Sequence, residues 1–196
     1  MTRTATVLQY TAFTLMMMVG VAGGLLLLGY AFKDLDPWVA AGTTAAWFVP
    51  VVAMSVFAVR RPAAAAPVLV GLAVAVGFAT VLDAAFSVVD IDALGPVMAV
   101  AVLATAVALG FLGLHREALS GLLLILLALS QFGATVLAHA GSGRSGGPGM
   151  RDLLTTSSGI IVLPVALVGL LLLVAGALDH EPPGLRHVGP TARTAH

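Results

Sequence analysis

One stretch of the sequence places polar side chains at helical spacing inside an otherwise apolar segment. Thr80, Asp83, Ser87 and Asp90 follow one another at three- and four-residue steps, so on a helix they fall within an arc of about 80°. A carboxylate in lipid costs at least ~2.5–3.5 kcal/mol, and Asp83 is therefore expected to face protein or water. Two interpretations stay open. Asp83 either belongs to an ion or solute pathway or is an acid near the membrane interface, capped by a neighbouring Ser or Thr.

A second polar stripe consists of Gln131, Thr135 and His139, spaced by four residues. An amide near the middle of a membrane usually hydrogen-bonds to another helix, so a structural role is one interpretation of Gln131. If the two stripes face each other, they line an outward-facing polar cavity with Asp83 at its floor and His139 and Asp90 at its mouth. An Asp and a His in such a cavity can relay protons or bind a metal cation. The sequence leaves the identity of any metal or cofactor unknown.

Other residues that could bind a metal or cofactor are better explained as packing or surface residues. His115 and His139 are predicted on opposite membrane sides, where they cannot share one haem iron. Met16, Met17 and Met18 point about 100° apart on a helix, so they cannot converge on one copper ion. The chain has no cysteine, which excludes thiolate metal sites and Cys nucleophiles. The sequence also lacks a serine elbow, a metalloprotease motif and a phosphate-binding Gly-Lys loop. These absences favour a protein that is not an enzyme.

The composition is that of a membrane protein. Hydrophobic residues make up 60% of the 196 residues and charged residues 9%, against roughly 45–50% and about 25% in soluble domains. Eighteen acids and bases cannot cover the surface of a soluble domain of this length. The net charge is zero, so no basic patch points to nucleic acid as a partner.

The charged residues separate six apolar segments, each long enough to form one membrane-spanning helix. Each segment holds roughly 18–26 residues, and about 20 are needed to cross a ~30 Å hydrocarbon core. The segments cover about 7–31, 39–59, 68–88, 97–114, 119–140 and 153–178. The predicted fold is an all-α, polytopic transmembrane helix bundle with about six spans. Residues 1–178 form its single domain, and residues 179–196 form a disordered cytoplasmic tail.

The distribution of basic residues predicts the orientation, since Lys and Arg favour the cytoplasm. With the N-terminus inside, six basic residues fall on the inner side and three on the outer side. The inner set is Arg3, Arg60, Arg61, Arg116, Arg186 and Arg193, and the outer set is Lys33, Arg144 and Arg151. Both termini are therefore predicted in the cytoplasm.

Two hypotheses about function follow. The first is a non-enzymatic, multi-pass protein of the cell membrane that transports a small solute or ion along the stripe that ends at Asp83. The second is an accessory or scaffolding subunit of a larger membrane complex, because the bundle contains so little polar surface. An enzyme acting on lipid is a third possibility without identifiable catalytic groups. The expected partners are the lipid bilayer and either further copies of this chain or other membrane subunits.

Overall fold

A computed structural model describes residues 3–31, 37–86, 97–141 and 157–179. All the regular secondary structure in these ranges is α-helix, which confirms the all-α prediction for this part of the chain. The helices are α1 (Arg3–Ala31), α2 (Pro37–Arg60), α3 (Pro62–Phe86), α4 (Val97–Gly113), α5 (Glu117–Gly141) and α6 (Ser157–Asp179). Each helix overlaps one predicted segment. The predicted tail after Asp179 and the residues between α5 and α6 lie outside the described ranges.

Within the part of the chain that the structure describes, three helices are long and apolar enough to cross a membrane. The qualifying stretches are Arg3–Leu25 in α1, Pro62–Phe86 in α3 and Glu117–Leu137 in α5. The apolar stretches described for the other helices are shorter, namely Phe48–Arg60, Val100–Gly113 and Val162–Leu178. By length and composition the chain is thus suited to a bilayer. Six crossings and their direction stay a prediction.

The largest difference from the predicted boundaries is at the start of α3. This helix begins at Pro62 rather than near Val68, and Arg61 alone separates it from α2. Proline fits the first position of a helix, where its missing N–H is not needed, and alanine, which fills the next four positions, is the strongest helix former. The Ala65 amide already donates to the Arg61 carbonyl at 2.8 Å. The predicted start therefore came too late by about one and a half turns.

The shortest helix, α4, lies at the centre of the bundle and packs against all five others. Its buried side chains include Leu103, Leu109 and Leu112, which have no exposed surface. A helix with neighbours on every side has no polar face to turn outward. The apolar composition of α4 all round its surface therefore reflects burial by protein.

Packing contacts between the helices fix their relative directions. The side-chain amide of Gln9, near the start of α1, donates to the carbonyl oxygens of Gly113 (3.2 Å) and Leu114 (3.0 Å) at the end of α4. Further along, Gly23 lies against the Leu103 side chain. Residue numbers rise along α1 as they fall along α4, so these two helices are antiparallel.

The same holds for α5 and α6, where Gly121 lies against Gly169 and Ala118 against Gly176. The starts of α1 and α5 and the ends of α4 and α6 therefore share one end of the bundle. Arg60 lines a cleft together with Phe111, near the end of α4, so the connection between α2 and α3 lies at this end too.

All four arginines that the structure describes lie at this end of the bundle, and all are exposed. They are Arg3, Arg60, Arg61 and Arg116. We call this the basic end. This end thus brings four positive charges together from three separate parts of the chain, beside two acids, Glu117 and Asp179.

Candidate functional site

The two helices that carry the predicted polar stripes, α3 and α5, pack directly against each other. Gly77 lies against the Ser130 side chain, so that a Cβ atom at Gly77 would be 3.0 Å from the Ser130 Oγ. One turn further along, Thr80 meets Gln131. Residue numbers rise together on both helices, so α3 and α5 run parallel. The contact that the sequence left open is therefore present.

The centre of this contact is a hydrogen-bonded pair. The Gln131 side-chain nitrogen donates to the Thr80 hydroxyl oxygen at 3.1 Å, and the same hydroxyl donates to the Gly77 carbonyl at 2.8 Å. Thr80 is buried. Its hydroxyl acts as acceptor and donor at once, which leaves no polar hydrogen of Thr80 exposed to hydrocarbon. A hydrogen bond of this kind between membrane helices contributes about 0.6 kcal/mol on average.

Asp83 lies three residues beyond Thr80, on the same face of α3. Its side chain is buried, with 9% of its surface exposed. It follows Arg61 by 22 residues, which at 1.5 Å per residue places it about 33 Å from the basic end along the helix axis. A hydrocarbon core is about 30 Å thick, so a crossing that starts at the basic end would bring Asp83, shielded by protein, to the opposite boundary and close to water.

The rest of the predicted site is described only in part. The Thr135 hydroxyl, one turn beyond Gln131, donates to the Gln131 carbonyl at 2.9 Å and is half-buried. His139 belongs to the last turns of α5, but its side chain lies outside the described residues, as do Ser87 and Asp90. We call Thr80, Asp83, Gln131 and Thr135 the polar seam. The predicted mouth at His139 and Asp90 stays a prediction.

The two histidines lie far apart. His115 lies two residues before the start of α5 at the basic end, and His139 follows Glu117 by 22 residues in this helix, which is about 33 Å. They cannot bind one haem iron. No group of three His, Asp or Glu side chains within the described ranges is placed to hold a metal ion.

The methionine run behaves as its helical spacing predicts. Met16 is buried against α4, where its side chain contacts the Gly110 position, whereas Met18 is 64% exposed. The side chains diverge, as packing residues on a helix do.

The structure also shows two polar contacts that the sequence did not reveal. Gln9 of α1 donates to the carbonyls at the end of α4, as described above. The buried Ser120 hydroxyl of α5 donates to the Leu109 carbonyl of α4. The last four carbonyls of a helix have no partner inside it. Gln9 supplies a donor to one of them, at Gly113, whereas Leu109 lies one residue before these four. The end of α4 thus receives hydrogen bonds from α1 and α5. A single Gln or Ser in an apolar run gives no sequence signal for such a role.

A further concave feature, also missed from the sequence, is a cleft of about 520 Å³ between α1 and α2. No residue of the polar seam lines it. The polar seam and the cleft are therefore separate features.

Comparisons with protein families, with curated proteins and with solved structures give no match to this chain.

Proposed function

We propose that the chain is a six-span protein of the cell membrane with both termini in the cytoplasm. The basic end supports this orientation, because Lys and Arg favour the cytoplasmic side. The parallel arrangement of α3 and α5, with α1 also starting at the basic end, is the arrangement that alternating crossings produce. The polar seam then opens toward the outer surface.

Within this topology, we propose that the protein binds a proton or a small cation at Asp83 and moves it across the membrane. The observation that carries the proposal is the burial of this carboxylate beside the hydrogen-bonded pair Thr80 and Gln131. Ionisable residues within membrane helices commonly mark ion pathways and proton relays. The position of Asp83 near the far boundary of the bilayer gives a hydrated cation access without crossing hydrocarbon.

Passage beyond Asp83 requires a movement of α3 relative to α5. On the basic-end side of Thr80, Gly77 lies against the Ser130 side chain, and Ala73 and Leu69 of α3 are buried. The packed residues close the path between Asp83 and the basic end. Such a closed path suits a site that binds its ion from the outer side and releases it to the other side after a conformational change. The Thr80–Gln131 hydrogen bond joins the two helices that would have to separate.

An accessory subunit of a membrane complex is the second candidate. The observation in its favour is the closed, apolar core around α4, in which the polar groups of Thr80, Gln131 and Ser120 already have hydrogen-bond partners within the bundle. In this case Asp83 is an interfacial acid without a role in transport.

Reconstituted protein distinguishes the two candidates. Liposomes with an entrapped pH-sensitive dye report dissipation of an imposed pH gradient, and parallel samples report Na⁺ or K⁺ flux. Ion flux in liposomes with the wild-type protein is expected to exceed the flux in protein-free liposomes. Asp83→Asn should lower the wild-type flux at least tenfold, because the amide keeps the shape of the side chain but does not titrate. Glu117→Gln is the matched control, since Glu117 is also buried but lies at the basic end.

Melting temperatures in detergent show whether each variant is folded. Equal flux in the wild type and Asp83→Asn would remove Asp83 from the pathway. Wild-type flux no greater than that of empty liposomes would overturn transport of these ions and favour the accessory-subunit function.

A further inference from the structure

The cleft between α1 and α2 is bounded on three sides by apolar surface. Both helices pack on α4, and the gap that remains between them is floored by Val107 and Phe111 of α4. Its walls include Gly20 of α1 and Val52 and Val56 of α2. In a membrane such a cleft is open to lipid rather than to water.

The length of the cleft matches one leaflet of a bilayer. The α2 residues that line it run from Phe48 to Arg60, about 18 Å along the helix axis, and half of the hydrocarbon core is about 15 Å. A single acyl chain is narrow and spans one leaflet, so its length suits the cleft.

The charge at one end of the cleft indicates which kind of lipid headgroup would bind there. Arg60 lines the cleft at the basic end, is exposed, and is followed by the exposed Arg61. A guanidinium binds a phosphate with paired, charge-assisted hydrogen bonds. This end of the cleft therefore favours a lipid with a net negative headgroup over a zwitterionic one.

A buried hydroxyl lies deeper in the same cleft. Ser55 lines it and is 7% exposed, and its Oγ has no hydrogen-bond partner among the described residues. Leaving a buried hydroxyl without a partner costs about 1–3 kcal/mol. Ser55 precedes Arg60 by five residues, or about 7.5 Å along the axis. The cleft thus has a cationic group at the headgroup level. One and a half turns below it lies a hydroxyl that is covered in this conformation and reaches the cleft by rotation of the Ser55 side chain.

We propose that this cleft binds one anionic glycerophospholipid. The phosphate contacts Arg60, an ester carbonyl oxygen accepts a hydrogen bond from the Ser55 hydroxyl, and one acyl chain lies along Val52 over Val107. A glycerophospholipid carries its ester groups immediately below its phosphate, in the order that Arg60 and Ser55 require. A fatty acid has a single polar group, and inorganic phosphate has no chain, so neither occupies both positions. This site does not depend on the transport function.

Native mass spectrometry of the purified full-length chain tests the proposal. The protein is titrated with phosphatidylglycerol, with phosphatidylcholine of the same chains, and with inorganic phosphate. The wild type is expected to bind one phosphatidylglycerol at least tenfold more tightly than phosphatidylcholine. Arg60→Gln should abolish that preference, whereas Arg116→Gln should keep it, because Arg116 is an exposed arginine of the basic end that does not line the cleft.

Two further variants separate the acyl-chain and ester contacts. Val52→Trp fills the cleft and should lower lipid binding at least tenfold. Val74→Trp, at an exposed position of α3 outside the cleft, should leave binding unchanged. Ser55→Ala should weaken binding of the ester-linked lipid several-fold but leave an ether-linked phosphatidylglycerol unaffected, because the ether analogue lacks the carbonyl acceptor.

Several results would overturn the proposal. Equal loss of phosphatidylglycerol preference in Arg60→Gln and Arg116→Gln would show a general charge effect of the basic end. Unchanged lipid binding by Val52→Trp would place the lipid elsewhere. Inorganic phosphate that displaces the lipid completely would show a simple anion site. None of these results depends on ion flux, so they are distinguishable from a failure of the transport proposal.

Discussion

Replacing Gly121 by alanine tests whether α5 and α6 depend on backbone-to-backbone packing. A Cβ atom at Gly121 would lie 2.6 Å from the Gly169 carbonyl oxygen and 2.7 Å from the Leu173 nitrogen. Both neighbours are backbone atoms, so no side chain can rotate away. To reach an ordinary contact of 3.4 Å, the helices must separate by about 0.8 Å at this point. Overpacking of this kind costs typically 1–3 kcal/mol.

The same substitution also raises helix propensity by about 0.8–1.0 kcal/mol, and a control is needed to remove this gain. Gly133 lies in the same helix, and no described atom outside its own stretch of helix comes within 4 Å of its would-be Cβ. Gly133→Ala therefore gains propensity without a clash. The difference between the two variants isolates the packing cost, and we expect Gly121→Ala to be less stable than Gly133→Ala by about 1–3 kcal/mol.

Reversible unfolding by SDS titration, followed by circular dichroism, measures this difference in the free energy of unfolding. Both variants should insert and keep wild-type helicity before the titration. If Gly121→Ala is as stable as Gly133→Ala, α5 and α6 do not approach as closely as described. The reasoning from close packing at Gly121 would then be wrong.

Two further predictions concern the polar seam and the topology. A double-mutant cycle of Thr80→Val and Gln131→Leu should give a coupling free energy of about 0.6 kcal/mol in the same titration, and zero coupling would show that the two side chains do not bond. Reporter fusions after Arg61 should report the cytoplasm, and fusions within Gly141–Gly149 should report the outside, since the basic end favours the cytoplasm. A cytoplasmic signal from Gly141–Gly149 would contradict six crossings.

The helices could be predicted closely because the bilayer sets their length and charged residues mark their ends. The start of α3 was misplaced by the most, since hydropathy alone gives little weight to the Pro-Ala run after Arg61, and the starts of α1 and α6 differ by about four residues. The central position of α4 could not be predicted. A helix that is apolar on all sides gives no indication of which sides face protein and which face lipid.

The polar seam could be predicted in part. Periodicity placed Thr80 and Asp83 on one face of α3 and Gln131 and Thr135 on one face of α5. Whether these faces meet depends on how α3 and α5 pack around α4, which is a tertiary property. Ser55 gave no signal, because a single hydroxyl in an apolar helix normally bonds within its own helix. Its significance depends on the cleft, which forms only when α1 and α2 are both in place.

The packing of α1 has a consequence for biosynthesis. This helix packs chiefly against α4 and α6, and 125 residues lie between Ala31 and Ser157. At a synthesis rate of roughly 5–20 residues per second, α1 precedes α6 by about 6–25 s. Until α4 has been synthesised, the Gln9 amide and the Met16 side chain lack the groups that they contact in the bundle. The part of α1 that packs on α6 waits longer, so α1 gains its full set of neighbours only after α6 has been made.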